Sequence, residues 1–144
     1  MKKSLYIIII VFIIILGVTL LFLTNVQNAY KEIQKENYAY EKCLNQEVMG
    51  TEVATLINKA IDNNEKYNIG KDENGNYIDD DKYCIKIFVK LQTDGKYYNM
   101  ETIYSNNVAE FVKNFNLEDF KCTNITYHNS TKRVATVYFE VLDS

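Results

Sequence analysis

Residues 5–23 read LYIIIIVFIIILGVTLLFL, nineteen positions without a single charged side chain. As an α-helix this segment is roughly 28 Å long, close to the thickness of the hydrocarbon core of a bilayer. Inside lipid every backbone N–H and C=O must be paired within the segment, and a helix pairs them all. We therefore predict a transmembrane helix over residues 5–23, in contact with membrane lipid.

Positive charges flank this helix on one side only. Lys2 and Lys3 precede it, and the next positive charge along the chain is Lys31. By the positive-inside rule, residues 1–4 form a cytoplasmic tip and the chain beyond the helix is extracellular. We therefore expect a single-pass protein of the cell membrane with a cytoplasmic N-terminus.

A cleaved signal peptide is the alternative interpretation of the same segment. Its apolar core is usually about 7–15 residues long and is followed by small residues at the cleavage site. The apolar run here is longer, and the following TNVQNAY contains Ala29 as its only small apolar residue. These departures favour an uncleaved signal anchor.

The exported part of the chain is acidic. The whole chain of 144 residues has a net charge of −3, but residues 30–144 hold 14 basic and 19 acidic residues, a net charge of −5. Arg133 is the only arginine. Excess negative charge disfavours nucleic acid and anionic lipid surfaces as partners. We expect the partners to be other envelope proteins or further copies of this chain.

Residues 24–68 have the pattern of an amphipathic helical stem. Apolar residues recur at spacings of three, four and seven, which places them along one side of a helix: Ile33, Tyr40, Leu44, Val48, Val53, Leu56, Ile57, Ala60 and Ile61. No proline interrupts the chain, so the anchor can continue into the stem. A bend at Asn25–Asn28 or at Gly50, or a second helix starting at Met49–Thr51 with Thr51 as its cap, are the alternatives.

Residues 69–144 are predicted to be rich in antiparallel β-structure. Apolar and polar residues alternate over Tyr83–Leu91, and Asp94-Gly95 is a strong hairpin turn. The remaining expected elements are a return strand at 96–104, a short helix begun by Asn107 with Glu110, and strands near 120–128 and 133–142. The fold class is therefore α+β, with a long N-terminal helix packed on an antiparallel sheet of about four to five strands and one short helix.

The acidic loop over residues 71–81 resembles a calcium loop in spacing only. Its candidate oxygen ligands occupy alternate positions, at Asp72, Asn74, Asn76 and Asp80. An EF-hand needs Gly at its sixth position and Glu at its twelfth, and both positions hold Tyr here. We interpret Asn74-Gly75 as a hairpin turn, and a weak divalent-cation site is the alternative.

Three cysteines, Cys43, Cys84 and Cys122, allow one disulfide with a spare thiol, or none. Cys84 and Cys122 fall in predicted strands, so a disulfide between them is one option. Free, buried thiols are the other. No close Cys-Cys or Cys-His spacing supports zinc.

The sequence contains no catalytic motif. His128 is the only histidine, no nucleophile motif accompanies it, and the five glycines are scattered rather than gathered into a phosphate loop. We predict a non-enzymatic protein without cofactors. The many tyrosines form strand surfaces or, alternatively, an aromatic binding face composed of Tyr97, Tyr98, Tyr104, Tyr127 and Tyr138.

Two stretches carry a resemblance to known proteins. They are MGTEVATLINKAIDNNEKYNI with KDENGNYI at 49–78, and METIYSNN, FVKNFN and FKCTNITYH within 100–128. With the anchor, they resemble small single-pass proteins of unassigned function from clostridia-like Gram-positive bacteria. The plan of apolar helix, amphipathic helix and sheet is similar to type IV pilins and pseudopilins in architecture only. Their processing signature is a Gly before Phe or Met, with an acidic residue early in the apolar helix. Here Gly17 lies inside the apolar run and no acidic residue precedes Glu32.

Two hypotheses of function follow. The first is a membrane-anchored extracellular protein that binds other proteins, as a pilin-like or accessory subunit of a cell-envelope assembly. The second is an anchored sensor or ligand-binding module with a weak cation site in the acidic loop.

Overall fold

The structure is a computed structural model that describes residues 2–91 and 95–142. It has two compact units, residues 1–35 and residues 36–144. The α+β class predicted from the sequence is confirmed. The elements in chain order are α1 Lys2–Glu41, β1 Glu47–Met49, α2 Gly50–Lys66, β2 Lys86–Lys90, β3 Tyr97–Asn99, α3 Met100–Ser105, α4 Val108–Phe115, β4 Asp119–Tyr127 and β5 Val134–Val141.

The first unit consists of helix α1 up to residue 35. All residues from Leu5 to Leu23 are helical and exposed. The hydroxyls of Thr19 and Thr24 donate to the carbonyl oxygens of Ile15 and Leu20 at 2.8 and 2.7 Å, so the helix satisfies its own polar side chains. One helix near the N-terminus is thus long and apolar enough to span a membrane.

The predicted stem helix is interrupted. Helix α1 ends at Glu41, a turn and strand β1 follow, and helix α2 begins at Gly50. A Cβ on Gly50 would lie 2.0 Å from the carbonyl oxygen of Phe115, so only glycine allows this approach to the end of α4. The structure thus has the alternative of a second helix near residue 50, whose N-cap is Met49, without a side-chain cap, and not Thr51.

The five strands form one sheet in the order β1-β4-β5-β2-β3. Three neighbouring pairs are antiparallel, whereas β2 and β5 are parallel, so the sheet is mixed and not purely antiparallel as predicted. The β4–β5 hairpin places β5 beside β2, leaving β4 to pair with short β1. Local periodicity identifies strands, but the direction of a pair depends on which strand of a hairpin joins its neighbour.

The expected return strand at 96–104 is shorter than predicted. Strand β3 ends at Asn99, and its side chain accepts a hydrogen bond from the Thr102 N–H at 2.9 Å, which begins helix α3. The structure therefore has two short helices in this region where one was predicted. The predicted start of the second is confirmed, because the Asn107 side chain caps α4. Asp94 of the predicted Asp94-Gly95 turn lies outside the described residues.

The core lies between α2 and one face of the sheet. The buried face of α2 includes Val53, Ile57 and Ile61. It packs with the buried strand residues of the sheet in a single apolar cluster, which includes Ile87, Val89, Phe120, Cys122, Val137 and Phe139.

Two buried asparagines attach helices to the backbone where strands β2 and β5 begin. Asn64 in α2 exchanges two 2.8 Å hydrogen bonds with the N–H and C=O of Ile85. Asn37 donates to the Lys132 carbonyl oxygen at 2.8 Å and accepts from the Val134 N–H at 2.9 Å. Each side-chain amide thus satisfies one backbone N–H and one backbone C=O at the start of a strand, which avoids unpaired buried groups.

Candidate functional site

The acidic loop uses its carboxylates to hold two turns. The Asp72 Oδ1 accepts hydrogen bonds from the N–H groups of Asn74 and Asn76, both at 2.9 Å, and Gly75 has a φ of 81°. The turn predicted at Asn74-Gly75 is confirmed, and Lys71 and Tyr77 pair across it. Hydrogen bonds, first of all from the Asn76 N–H, lower the pKa of Asp72.

Asp80 serves the second turn. Its Oδ1 accepts hydrogen bonds from the N–H groups of Lys82, Tyr83 and Cys84 at 3.0, 2.8 and 2.8 Å. The side-chain oxygen of Asn76 accepts from the Asn99 amide at 2.7 Å. Over residues 2–91 and 95–142, no group of three or more His, Cys, Asp or Glu side chains is arranged to hold a metal ion. Of the proposed cation ligands, Asp72 and Asp80 thus accept hydrogen bonds from the loop backbone, and Asn76 accepts one from Asn99 at the end of β3.

His128 is buried at the end of β4 and contacts main chain. Its Nε2 lies 2.8 Å from the carbonyl oxygen of Cys84, and its own N–H donates to the Arg133 carbonyl oxygen at 2.9 Å. Burial raises the pKa of the nearby Cys84 thiol to about 12, so this thiol is protonated at neutral pH. An activated nucleophile requires the opposite shift, and the geometry of His128 fits a turn-stabilising role.

The three cysteines are free and buried. The Cys84–Cys122 disulfide considered from the sequence does not fit the sheet order. Cys122 lies on β4 and Cys84 precedes β2, with β5 between these strands. Two strand spacings amount to roughly 9.5 Å, whereas a disulfide needs Cα atoms about 4.4–6.8 Å apart.

The five tyrosines considered as a binding face lie in different places. Tyr97 and Tyr138 share one side of the sheet, and their rings meet edge to face at 5.7 Å. Tyr98 is on the opposite side and Tyr104 is in α3. The Tyr127 hydroxyl donates to Glu41 at 2.9 Å. Only two of the five therefore belong to one aromatic cluster.

We call the side of the sheet opposite the core the open face. Its residues alternate with the core residues along the strands and are exposed or partly exposed; those used below are Glu47, Phe88, Lys90, Tyr97, Lys121, Tyr138 and Glu140. The rings of Phe88 and Tyr138 stack at 5.4 Å, so three aromatic rings form its centre. Phe88 was missed from sequence, although an aromatic residue between Lys86 and Lys90 is a usable signal.

A charged row runs beside these rings. The strand register aligns Glu47, Lys121, Glu140 and Lys90 across four strands, with alternating sign. Lys90 Nζ lies 3.7 Å from Glu140 Oε2, and the Tyr97 hydroxyl hydrogen-bonds to Glu140, which raises the pKa of Tyr97. Opposite charges directly across neighbouring strands stabilise the sheet modestly, and together they leave the row nearly neutral.

A groove of about 450 Å³ lies between α3 and α4. Its floor is apolar and includes Ile103 and Phe111, while amide groups such as Asn106 and Asn114 line its rim. That volume is within the range of small-molecule sites. The sequence did not indicate this groove, because it exists only where two short helices meet.

Arg133 does not form a phosphate site. Its guanidinium hydrogen-bonds to Glu36 and lies 5.4 Å from the ring centres of both Tyr67 and Tyr83. These rings stack on each other at 4.3 Å. The side chain therefore has a structural ion pair and cation–π contacts that connect the start of β5 to the end of α1 and of α2.

No protein-family model matches the chain, and no curated protein or solved structure matches it either. The apolar helix, the open face and the groove are therefore the features from which a function can be inferred.

Proposed function

We propose that the chain is a non-enzymatic, membrane-anchored protein whose extracellular domain binds another protein of the cell envelope. In this proposal residues 5–23 span the membrane, the N-terminus is cytoplasmic, and residues 36–144 are outside. The apolar side chains of residues 5–23 are all exposed in the fold, which supports a lipid environment for them. The two lysines before this segment support the orientation.

The open face is the observation that carries the binding function. It has three aromatic rings at its centre and charged residues around them, the composition of many protein–protein interfaces. Its charged row alternates in sign, so it offers no continuous positive surface for a polyanion. A partner subunit in an envelope assembly, pilin-like in plan, fits this surface better than nucleic acid does.

Labelling of introduced cysteines tests the orientation. Ser4→Cys lies before the apolar segment and Asn129→Cys is in an exposed turn, while the native cysteines are buried and react little. In intact cells a membrane-impermeant maleimide should label Asn129→Cys, and Ser4→Cys only after lysis. The reverse pattern, or loss of the first residues from the mature chain, would contradict the anchor proposal.

Site-specific photo-crosslinking tests the open face. A photoreactive phenylalanine analogue at Tyr138 should give a discrete crosslinked protein band in whole cells. The same analogue at Lys59, an exposed position on α2, is the matched control and should give none. Equal bands from both positions, or a band from Lys59 alone, would exclude the open face as the interface.

The groove between α3 and α4 supports a second candidate, the binding of a small ligand by an anchored sensor. Asn114 is exposed on the groove rim, so Asn114→Trp should block the groove and leave the core intact. A small molecule that copurifies with the unmodified chain and is lost in this variant would favour the sensor function. Retention of the same molecule by the variant would argue against it.

A further inference from the structure

Two of the three cysteines lie side by side in the fold. Cys43 is in the turn that follows α1, and Cys122 is in β4. Leu44 pairs with Cys122 in an isolated parallel bridge, and the Asn45 N–H donates to the Cys122 carbonyl oxygen at 3.2 Å. Backbones paired in this way run about 4.8 Å apart, and Cys43 is the residue directly before the paired Leu44, so it lies next to the backbone of Cys122.

Both side chains of this pair are directed into the same core. Cys43 is 1% exposed and Cys122 is fully buried, and both belong to the apolar cluster beneath α2. Burial, and then the charge that a neighbouring Cys43 thiolate would carry, raises the pKa of Cys122 to about 11. The geometric support for the pair is the backbone contact of Leu44 and Asn45, which directly follow Cys43, with Cys122.

Cys84 is separated from this pair. It precedes β2, and β5 lies between β2 and β4 in the sheet. Its backbone N–H is hydrogen-bonded to Asp80 and its carbonyl oxygen to His128. The three cysteines thus form one adjacent pair and one single thiol, an arrangement that the odd count left undecided.

We propose that Cys43 and Cys122 form a disulfide in the exported protein and that Cys84 remains a thiol. The oxidising environment that this disulfide needs in the cell depends on the extracellular location proposed above. The bond would join the turn after α1 to the middle of β4 and would close most of the domain into one covalent loop.

The reaction is a thiol–disulfide exchange with a disulfide of low molecular weight or of an oxidoreductase. The thiolate of one cysteine attacks the oxidant disulfide and releases one thiol. The second cysteine then attacks the mixed disulfide and releases the other. Two S–H bonds and the S–S bond of the oxidant are lost, one protein S–S bond forms, and the two protons and two electrons leave on the oxidant's two thiols.

Burial determines when this exchange takes place. In the folded reduced chain the raised pKa values leave few thiolates at neutral pH, and the core excludes the oxidant. The bond therefore forms while the domain folds, before the turn after α1 closes over Cys122. Oxidation of the folded, reduced chain should be at least tenfold slower than oxidation during refolding.

Trypsin separates the three cysteines cleanly. Cleavage after lysine places them in the peptides 43–59, 83–86 and 122–132. The full chain, purified in detergent, is unfolded in urea with reductant and refolded with oxidised glutathione. Remaining thiols are then alkylated, and the non-reduced digest is measured by mass spectrometry.

The expected product is peptide 43–59 linked to peptide 122–132, with peptide 83–86 alkylated. A link between 83–86 and either of the others, or alkylation of all three after refolding with oxidant, would overturn the proposal. No substitution is needed for this experiment, so a variant that fails to fold cannot obscure the result.

Serine variants supply the second measurement. Reductant should lower the unfolding midpoint of the unmodified oxidised chain, and equally that of Cys84→Ser, by roughly 10 °C. It should leave Cys43→Ser unchanged, and Cys84→Ser is the matched control because Cys84 is equally buried. A reductant-sensitive midpoint in Cys43→Ser would contradict the pairing.

The state of the chain in cells separates this proposal from the location on which it rests. If the linked peptides form with purified protein and are also present in chain alkylated directly from cells, both proposals are supported. If they form with purified protein but the cellular chain is reduced, the extracellular location is wrong, together with the natural disulfide that depends on it. If they do not form with purified protein, the pairing itself is wrong wherever the chain resides.

Discussion

Val137 and Phe139 on strand β5 are completely buried, whereas Tyr138 between them is partly exposed on the open face. The two sides of the sheet therefore take alternate residues from the same strands. On the core side, apolar side chains pack under α2 and provide stability. On the open face, stacked rings and paired charges keep partial contact with solvent. Residues adjacent in sequence are thus expected to differ in whether they support folding or binding.

The largest expected difference in stability is between alanine substitutions of Phe139 and of its neighbour Tyr138. Phe139→Ala removes a fully buried ring and should lower the free energy of unfolding by about 4 kcal/mol, since truncating a buried Phe leaves a cavity. Tyr138→Ala should cost about 1 kcal/mol, because only ring stacking on a partly exposed surface is lost. Urea unfolding of the full chain in detergent measures both.

A crosslinking measurement on the Tyr138 variant tests binding separately from stability. Tyr138→Ala, with the photoreactive group moved to Phe88, should weaken capture of the proposed partner protein although the domain remains folded. If Tyr138→Ala destabilises the chain as much as Phe139→Ala, the open face is part of the core and the division between the two faces is wrong.

This division between faces is the part of the fold that sequence predicts well. Alternation over 83–91 and 133–142 identified strands β2 and β5, because period two is imposed by the backbone itself. The same alternation separates Phe88 from Ile87 and Val89 on one strand, and Tyr138 from Val137 on the other. It could not show that the rings of Phe88 and Tyr138 stack, because that contact depends on β5 lying beside β2.

The features that sequence missed depend on distant partners. Asn64 looks like one more polar residue of a helix, yet its amide pairs with the backbone of Ile85. Gly50 costs a helix only about 1 kcal/mol relative to Ala, so its presence did not decide between a bend and a break. Its real constraint is the carbonyl oxygen of Phe115, far away in the chain.

A substitution of Gly50 tests its close contact with helix α4 on the core side of the sheet. Gly50→Ala places a methyl group where the Phe115 carbonyl lies, so α2 and α4 must move apart. We expect a loss of about 2 kcal/mol in the free energy of unfolding, in the range of overpacked sites. Gly70→Ala, where an added methyl meets nothing within 4 Å, is the matched control and should change stability little. Equal effects at both positions would show that the contact between Gly50 and α4 is not restrictive.

A pH titration of Asp80 extends the comparison to the polar turn that leads into β2. Burial alone raises the pKa of this carboxyl, but the N–H donors of Cys84, Tyr83 and Lys82 outweigh it and the net pKa is lowered. A lowered folded pKa stabilises the protein above the unfolded value, about 3.9. That stabilisation is lost as the pH falls through the folded value.

Asp80→Asn should therefore destabilise the chain by about 1 kcal/mol at pH 7, and this deficit should shrink below pH 4. Asp79→Asn is the neighbouring control. The Asp79 side chain is 70% exposed and 3.0 Å from Lys86 Nζ, so its removal should matter little. A deficit for Asp80→Asn that does not change with pH would mean that the charge of the carboxylate is unimportant to the turn.

The smallest expected effect lies in the charged row of the open face. The side chains of Lys90 and Glu140 are both slightly more than a third exposed, and the Lys90 Nζ lies 3.7 Å from the Glu140 Oε2. A double-mutant cycle with Lys90→Gln and Glu140→Gln should give a coupling of about 0.5 kcal/mol or less. Added salt should reduce it further, because exposed charges are screened.

That small value is the sharpest test of what the open face is for. If these charges contribute little to folding, their side chains can be substituted without unfolding the domain. The residues concerned are Glu47, Lys121, Glu140 and Lys90. The same Glu140→Gln substitution should then reduce crosslinking from Tyr138, because it leaves Lys90 without a counter-charge at the rim of the aromatic cluster. A coupling of several kcal/mol with unchanged crosslinking would instead mean that the charged row stabilises the fold. Both faces of the sheet would then contribute to stability, and the open face would not be the binding surface.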